Sequence, residues 1–426
     1  MSTIEQIAAS LQGYDPQALP AASVKEFLAR LAEPVADVEA VGVFDALGRV
    51  LAQDLVSPIS VPPHDNSAMD GFAFDGEALR PGQPLTLQLA EGTAFAGSAW
   101  RGDAGRGQCV KIMTGAIMPA GLDTVVPLEF VTVDAGKVTI PAGVLQRGDN
   151  RRLLGEDLMA GQPALRRGQT LGPAALGLIA SLGLPTAPVF RRLKVAYFST
   201  GDEILSLGEP AREGAVYDSN RYTVFGLLTR MGIEVIDMGV IKDEPIALEA
   251  AFREAASLAD AIITSGGVSM GEADHTKAMM KQLGDVAFWR IAMRPGRPMA
   301  VGRIADKGKT SVLFGLPGNP VAVMVTFLAF VRPALQIMMG ATPQEPVLLK
   351  AHCAEALRKK PGRTEYQRGV VSREADGSLS VRTTGNQGSG VLSSMVQANG
   401  LIVLHHGQGS VSVGDQVDVM MFDGVI

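Results

Sequence analysis

The stretch 261–277 constrains this chain more than any other. It reads A-I-I-T-S-G-G-V-S-M-G-E-A-D-H-T-K, an apolar β-type run, then a glycine-rich turn, then a helix start carrying acids. A short buried strand over 261–264 delivers Ser265, Gly266 and Gly267 to a loop whose backbone N–H groups can face an anion. A helix beginning near Glu272 or Ala273 brings its positive dipole end to the same place. Asp274, His275 and Lys277 fall in or just beyond its first turn. Glycines here satisfy equally well a tight turn that needs φ > 0 and nothing else, so the turn alone divides evenly between structure and function. The rest of the chain decides.

With 426 residues, 46% of them hydrophobic, the chain can bury the cores of two to four domains. A formal charge of −6 leaves no basic face in surplus, which excludes broad nucleic-acid binding but not a small anion held by a few placed groups. Cys109 and Cys353 are the only cysteines, and their separation predicts reduced thiols and a cytoplasmic setting. The first residues lack a basic n-region, and no run reaches the roughly 18 apolar residues of a spanning helix, so neither export nor a membrane is expected.

Read in order, residues 1–20 are polar and predict a loosely held leader. Ser23 and Glu26 have capping-box spacing and predict a short helix with Phe27, Leu28 and Leu31 on one side. From 59 to 148, short β-branched runs alternate with glycine and proline turns, the texture of an all-β domain. Helical texture returns over 149–185. Residues 190–340 alternate strand and helix as a doubly wound α/β unit, and the last segment is β again, a small barrel or sandwich. The expected division is 21–58 plus 149–188 as a linker domain, 59–148 as an inserted β-rich domain, 189–341 as the α/β domain and 342–426 as a C-terminal β-barrel.

In doubly wound sheets ligands collect beyond the carboxyl ends of the strands. Three such ends bear acids: Asp202 with Glu203, Asp243, and Asp274. Carboxylates around a glycine loop, with no His or Cys cluster, suit a hard cation such as Mg²⁺ held together with substrate phosphates, and argue against zinc. Glu203 or Asp243 taken alone is better explained as a helix cap or an exposed loop acid. Arg290, Arg294 and Arg297 in 290–298, R-I-A-M-R-P-G-R-P, put three guanidinium groups near one sheet edge, where they can grip an oxyanion or simply form a solvated basic loop, the first being favoured by the prolines and glycine that fix the loop's shape. In 316–320, L-P-G-N-P, Asn319 is placed to cap a long apolar helix opened by Pro320. There is no Walker A pattern, H-E-x-x-H or G-x-S-x-G, so the commonest nucleotide-hydrolase, zinc and serine-hydrolase readings fall away.

Eight motifs in this order carry a resemblance: D-N-S-A-M-D-G-F-A (65–73), I-M-T-G-A (112–116), R-R-L-L-G-E-D (151–157), F-S-T-G-D-E-I (198–204), D-S-N-R (218–221), T-S-G-G-V-S-M-G-E-A-D-H-T-K (264–277), R-P-G-R-P (294–298) and L-P-G-N-P-V (316–321). From about Ser23 to the C-terminus the sequence resembles the molybdopterin molybdenumtransferase (MoeA) family, whose eukaryotic relatives include the E domain of gephyrin. The resemblance implies an elongated homodimer of four-domain subunits. It implies a Mg²⁺-assisted reaction in which adenylylated molybdopterin and molybdate give molybdenum cofactor and AMP. By motif, Asp70 and Thr114 would line the cleft from the β domain, that of the partner subunit. Glu203, Asp243 and Asp274 would hold Mg²⁺ or act on the phosphoanhydride. Substrate contacts would come from Ser265, Gly266, Gly267, Ser269, Asp218, Asn220, Arg290, Arg294, Arg297, Pro317, Asn319, Arg368 and Ser389. Glu156 and Asp157 match an acidic motif to which no role is assigned. The adenylyltransferase and downstream molybdoenzyme chaperones are the implied protein partners. The family often carries lysine where this chain has Arg290, Arg294 and Arg297, so these are assigned to anion binding and not to proton transfer. Two rival readings are a molybdopterin adenylyltransferase, whose central domain is similar, and a non-catalytic gephyrin-like scaffold.

Overall fold

The computed structural model describes residues 3–268 and 275–422. Its centre is a six-stranded sheet in the order Glu234–Ile241, Lys194–Thr200, Ala261–Ser265, Lys309–Leu316, Pro298–Asp306, Gly284–Arg290. The first four strands are parallel and the last two antiparallel. Side chains alternate across a strand, and both faces here are apolar: Val195 and Tyr197 enter one core while Ala196 and Phe198 enter another. Helices Ser219–Arg230 and Pro320–Thr326, the latter continuing to Met338, cover the first face. Pro245–Leu258 and His275–Leu283 cover the second. The result is a doubly wound three-layer α/β unit.

The run 320–338 is long and apolar enough to cross a membrane, which the sequence reading did not anticipate. Its most apolar window is 78% buried inside the protein, as a core helix would be.

The chain leaves this unit twice. Toward the N-terminus, Val38–Gly42 pairs with Thr186–Phe190 and Leu55–Val56 with Pro163–Leu165, closing a small core with helix Pro173–Ser181. Between those ribbons lies a six-stranded sheet, order Thr124–Pro127, Gly71–Phe74, Gln108–Ile112, Leu85–Ala94, Lys137–Ile140, Thr132–Asp134. After residue 348, five strands close into a barrel: Thr364–Arg373, Leu379–Thr383, Leu349–Cys353, Gln416–Met421 and Gly400–Leu404, the last pairing back to the first. Closure removes the exposed edges that an open sheet of this size would present.

Two local expectations are corrected. Helix Ala21–Leu31 starts after Pro20 with no side-chain cap, so Ser23 and Glu26 form no capping box, and Glu26 instead pairs with Arg30 one turn on. The leader is not loose. Helix Ile4–Ala9 is capped by Thr3, and Ile4, Ile7, Leu11 and Leu19 are buried in the main core. Four apolar side chains in a polar stretch suffice, because each removes its own area from water whatever its neighbours are. Cys109 and Cys353 are buried free thiols.

Candidate active site

The parallel strands end at one rim, where Ser199 lies opposite Val240 on one side and Ser265 on the other, and Ser265 opposite Leu316. Gly266 and Gly267 then turn the chain with φ of +90° and +63°. A Cβ on Gly266 would sit 2.4 Å from the Thr200 carbonyl oxygen, and one on Gly267 2.4 Å from Thr276 Cβ. Glycine is needed here for close approach as well as for φ. The turn therefore lies flat against the neighbouring strand end and draws in Thr276, the second residue of helix His275–Leu283. Thr276 Oγ1 donates to Asp243 Oδ1 at 3.0 Å, and the Asp243 N–H reaches Asp202 Oδ1 at 3.4 Å. Asp202, Asp243, Thr276 and the glycine turn thus surround one point. Glu203, exposed, folds back over Gly201, with its Oε2 2.7 Å from where a Cβ on Gly201 would be.

Asp274 and Ser269, the remaining rim residues singled out in the sequence, lie outside the described residues. Among the described residues no three His, Cys, Asp or Glu side chains gather as a metal cluster. The described rim side chains that meet, Asp202, Asp243 and Thr276, offer oxygens, which suits a hard cation better than zinc.

Behind the rim, Tyr197 Oη is within hydrogen-bond distance of Ser199 Oγ (2.9 Å) and Ser265 Oγ (2.7 Å), and the two serines are 3.2 Å apart. Burial pushes the Tyr197 pKa up, so the group stays a neutral phenol. The Gly266 N–H donates to the Leu316 carbonyl at 3.2 Å and is not open to a ligand, which narrows the bare backbone cradle expected from the sequence. Asp218 caps helix Ser219–Arg230 through Oδ1, which accepts from the Arg221 N–H at 3.1 Å. Asn220 donates to the Gly318 carbonyl at 2.7 Å, tying this helix to the loop that follows Pro317. Asp218 Oδ2, Asn220 Oδ1 and Thr200 Oγ1 are buried and have no partner among the described residues. Buried acceptors of this kind are costly unless a donor reaches them.

The arginine stretch leaves the sheet at Arg290 and pairs Met293–Arg294 with Thr364 and Glu365 of the barrel. Gly296 fits against helix Pro320–Thr326, where a Cβ would lie 2.4 Å from Thr326 Oγ1. Arg294 and Arg297 are exposed and Arg290 half-buried. Arg368, on the barrel, is only 1% exposed. It donates to Ser394 Oγ (2.9 Å), the Gly388 carbonyl (2.9 Å) and the Asn386 carbonyl (3.2 Å), all neutral acceptors. Burial, then the charge of Arg294, pushes its pKa down to about 10. A buried cation beside a second cation, held by neutral groups, is a site that an anion would relieve. Ser389, in the loop that Arg368 braces, accepts from Asn319 Nδ2 at 3.0 Å, so Asn319 spends its amide across the domain junction and makes no side-chain cap.

Asp70 and Thr114 meet in the inserted sheet: Asp70 Oδ1 accepts from both the Thr114 hydroxyl and its N–H, each at 2.7 Å, and these bonds hold the Asp70 carboxyl below its usual range. In the neighbouring motif Asp65 grips the Arg151 guanidinium and the Leu154 N–H, and Glu156 accepts from the Leu153 N–H. Those carboxylates brace their own turn.

Sequence reasoning missed Tyr197, Ser199 and the 3–20 segment. A hydroxyl at every second position of Tyr197-Phe198-Ser199 was the available signal for the first two.

Family models match most of the chain: the MoeA N-terminal region (domain I and II) over residues 22–183, a probable molybdopterin binding domain over 196–337, and the MoeA C-terminal region (domain IV) over 350–422. A molybdopterin molybdenumtransferase of Haemophilus influenzae is 40% identical over 383 residues, covering 90% of this chain and 93% of its own. One of Nostoc sp. is 35% identical over 390 residues, covering 90% and 88%. The solved structure of the molybdopterin biosynthesis moeA protein from Pyrococcus horikoshii OT3 superposes with a TM-score of 0.78 at 26% identity, over 95% of this chain and all of that one. With an arginine-rich domain junction beside a glycine-turn rim, and likeness of that extent on both sequence and structure, the chain belongs to the molybdopterin molybdenumtransferase family.

Proposed function

We propose that this chain inserts molybdenum into adenylylated molybdopterin, taking molybdate and Mg²⁺ and releasing AMP. The observation that carries the reading is the convergence of Asp202, Asp243 and Thr276 on the glycine turn at the sheet rim, next to an arginine junction whose buried member has no acidic partner among the described residues. A phosphoanhydride that breaks needs its growing negative charge met by placed donors and a cation. Glu203 and Asp243, with Asp274, would hold Mg²⁺, which supplies that neutralising charge. Arg290, Arg294, Arg297 and Arg368 hold the tetrahedral oxyanion, and Ser389 and Asn319 fix the shape of their pocket. Asp218 and Asn220 offer acceptors to the N–H edge of the pterin. Asp70 and Thr114 close the cleft from the inserted β domain of a partner subunit, which makes the working unit a homodimer. The same reading divides the chain at 58, 148, 188 and 341 and places it in a reducing, cytoplasmic compartment, where the two buried thiols stay reduced.

The test mixes the protein with adenylylated molybdopterin, molybdate and Mg²⁺ and follows AMP. Molybdate-dependent AMP release without ATP consumption supports the proposal. Consumption of ATP would move the chain to the adenylyltransferases, and silence in both assays would leave it a scaffold.

A further inference from the structure

The segment ahead of the matched family regions does more than fill the core. It meets the sheet's edge strand Gly284–Arg290 end to end. The Ile4 N–H donates to Asp285 Oδ2 at 2.9 Å, and the Trp289 indole N–H donates to the Tyr14 hydroxyl at 2.8 Å. Then the contacts pass to the main chain of the arginine loop itself. The Arg290 N–H donates to the Pro16 carbonyl at 2.8 Å, the Leu19 N–H to the Arg290 carbonyl at 3.1 Å, and the Ala292 N–H to the Leu19 carbonyl at 2.8 Å. Leu19 has no exposed surface and pairs with Ile291 as a one-residue parallel bridge. Phe27, on the helix that follows, stacks edge-on to Trp289 with centroids 4.8 Å apart.

The loop is held from two other sides as well: Ile291 N–H closes it on the Arg297 carbonyl at 2.7 Å, and Thr364 N–H of the barrel donates to the Ala292 carbonyl at 2.9 Å. The 14–19 stretch meets both main-chain groups of Arg290. Residue 290 is the point where the strand ends and the loop begins, so the direction in which the three guanidinium groups leave the sheet is set there. Main-chain hydrogen bonds at a pivot of this kind restrict the φ and ψ freedom on which side-chain placement depends.

We propose that residues 14–19 are a positioning element for the anion pocket: they fix the backbone of Arg290 and Ala292 so that Arg290, Arg294 and Arg297 face one oxyanion together. Tyr14 and Leu19 are its anchors. This rests on the reading of that pocket as the molybdate site, and its own physical readout is the backbone of 290–297, which can be followed without turnover.

The experiment compares the full chain with one lacking residues 3–18, by amide hydrogen exchange over 290–297 and by KM for molybdate. The Arg290 amide, which loses its carbonyl partner, should exchange about tenfold faster, the molybdate KM should rise about fivefold, and kcat should stay within about twofold. A synthetic peptide of residues 3–20 added in trans should reverse both. Because the truncation removes Ile4, Ile7 and Leu11 and bares the core surface they cover, Leu19→Ala and Tyr14→Phe in the full chain serve as second variants, each with a rise of about two- to threefold in molybdate KM and none in KM for the pterin substrate. A folded truncated or Leu19→Ala protein with unchanged exchange over 290–297 overturns the proposal. Faster exchange with unchanged molybdate KM also overturns it, leaving the segment a purely structural brace. If the parent itself shows no molybdate-dependent turnover, the functional reading fails, while the exchange data still decide whether 14–19 hold the loop.

Discussion

At the rim of the parallel sheet each charged group sits a few residues past a strand end and keeps contact with solvent: Asp202 and Glu203 are exposed and Asp243 half-buried. The arginine junction is made differently. Its loop is pinned by the 14–19 stretch, by helix Pro320–Thr326 and by the barrel, and its member Arg368 is sealed from water among carbonyl groups. The first region is assembled by local turns and can be altered one side chain at a time. The second is assembled by tertiary contact, so the groups proposed to bind the anion also hold the domains together. A change at the rim should therefore show in turnover and leave folding alone, and a change at the junction should show in both.

The largest effect expected from this contrast is that of Asp243→Asn. Under the proposed reaction, in which Asp243 helps to hold the cation at the breaking phosphoanhydride, loss of its charge should lower kcat by about 100- to 1000-fold, while Thr276 Oγ1 keeps an oxygen to donate to and stability moves by no more than about 0.5 kcal/mol. Steady-state AMP release and a urea melt measure the two. A large loss of stability would erase the distinction. Gly267→Ala marks the limit of the rim's independence. At φ +63° and with Thr276 Cβ 2.4 Å from the new methyl, strain and overpacking together should cost about 2 to 4 kcal/mol. A neutral outcome in the same melt would mean that the turn is not wedged as described.

How much of this was legible in the sequence follows the same line. The doubly wound unit, the inserted sheet and the barrel rest on periodicity and turn residues, which are local. So do the glycine turn and the acids beyond the strands, because each is fixed by its own strand end. The junction is not local. Arg368 comes from a barrel strand and Ser389 from a loop some 70 residues from Asn319, and only family likeness put them in one site; no spacing rule joins them. The cap expected of Asn319 went instead to Ser389, since a cross-domain acceptor outcompeted the local one. The 3–20 segment misled for a related reason: its polar residues are the outer face of a piece whose four apolar residues are all inside.

Arg368→Lys tests the junction from the other side. One ammonium cannot serve Ser394 Oγ and two carbonyls that the guanidinium fork now reaches. Stability should fall by about 1 to 2 kcal/mol, and molybdate should bind about tenfold more weakly. In the parent, molybdate at about 100 times its Kd should stabilise the fold by about 2.7 kcal/mol, visible as a rise in Tm that the variant largely loses. Weaker binding with unchanged stability would place Arg368 with the rim residues and collapse the comparison.

The smallest effect belongs to Asp70 and Thr114, which resemble the rim in keeping contact with solvent but lie in the inserted sheet. The Thr114 hydroxyl, then its N–H, keeps the Asp70 pKa below the 3.8 of a free carboxyl. A carboxyl whose folded pKa is depressed adds stability above its unfolded pKa and loses it as pH falls through the lower folded value. Thr114→Val removes the hydroxyl and leaves the N–H, so the Asp70 pKa should climb part of the way back toward 3.8, and the share of acid destabilisation that Asp70 contributes should shrink and be complete at a higher pH. Carboxyl-carbon NMR titration of Asp70 reads the shift directly. If the pKa does not move, the N–H alone holds the carboxylate, and the motif hydroxyl is left free to meet a ligand.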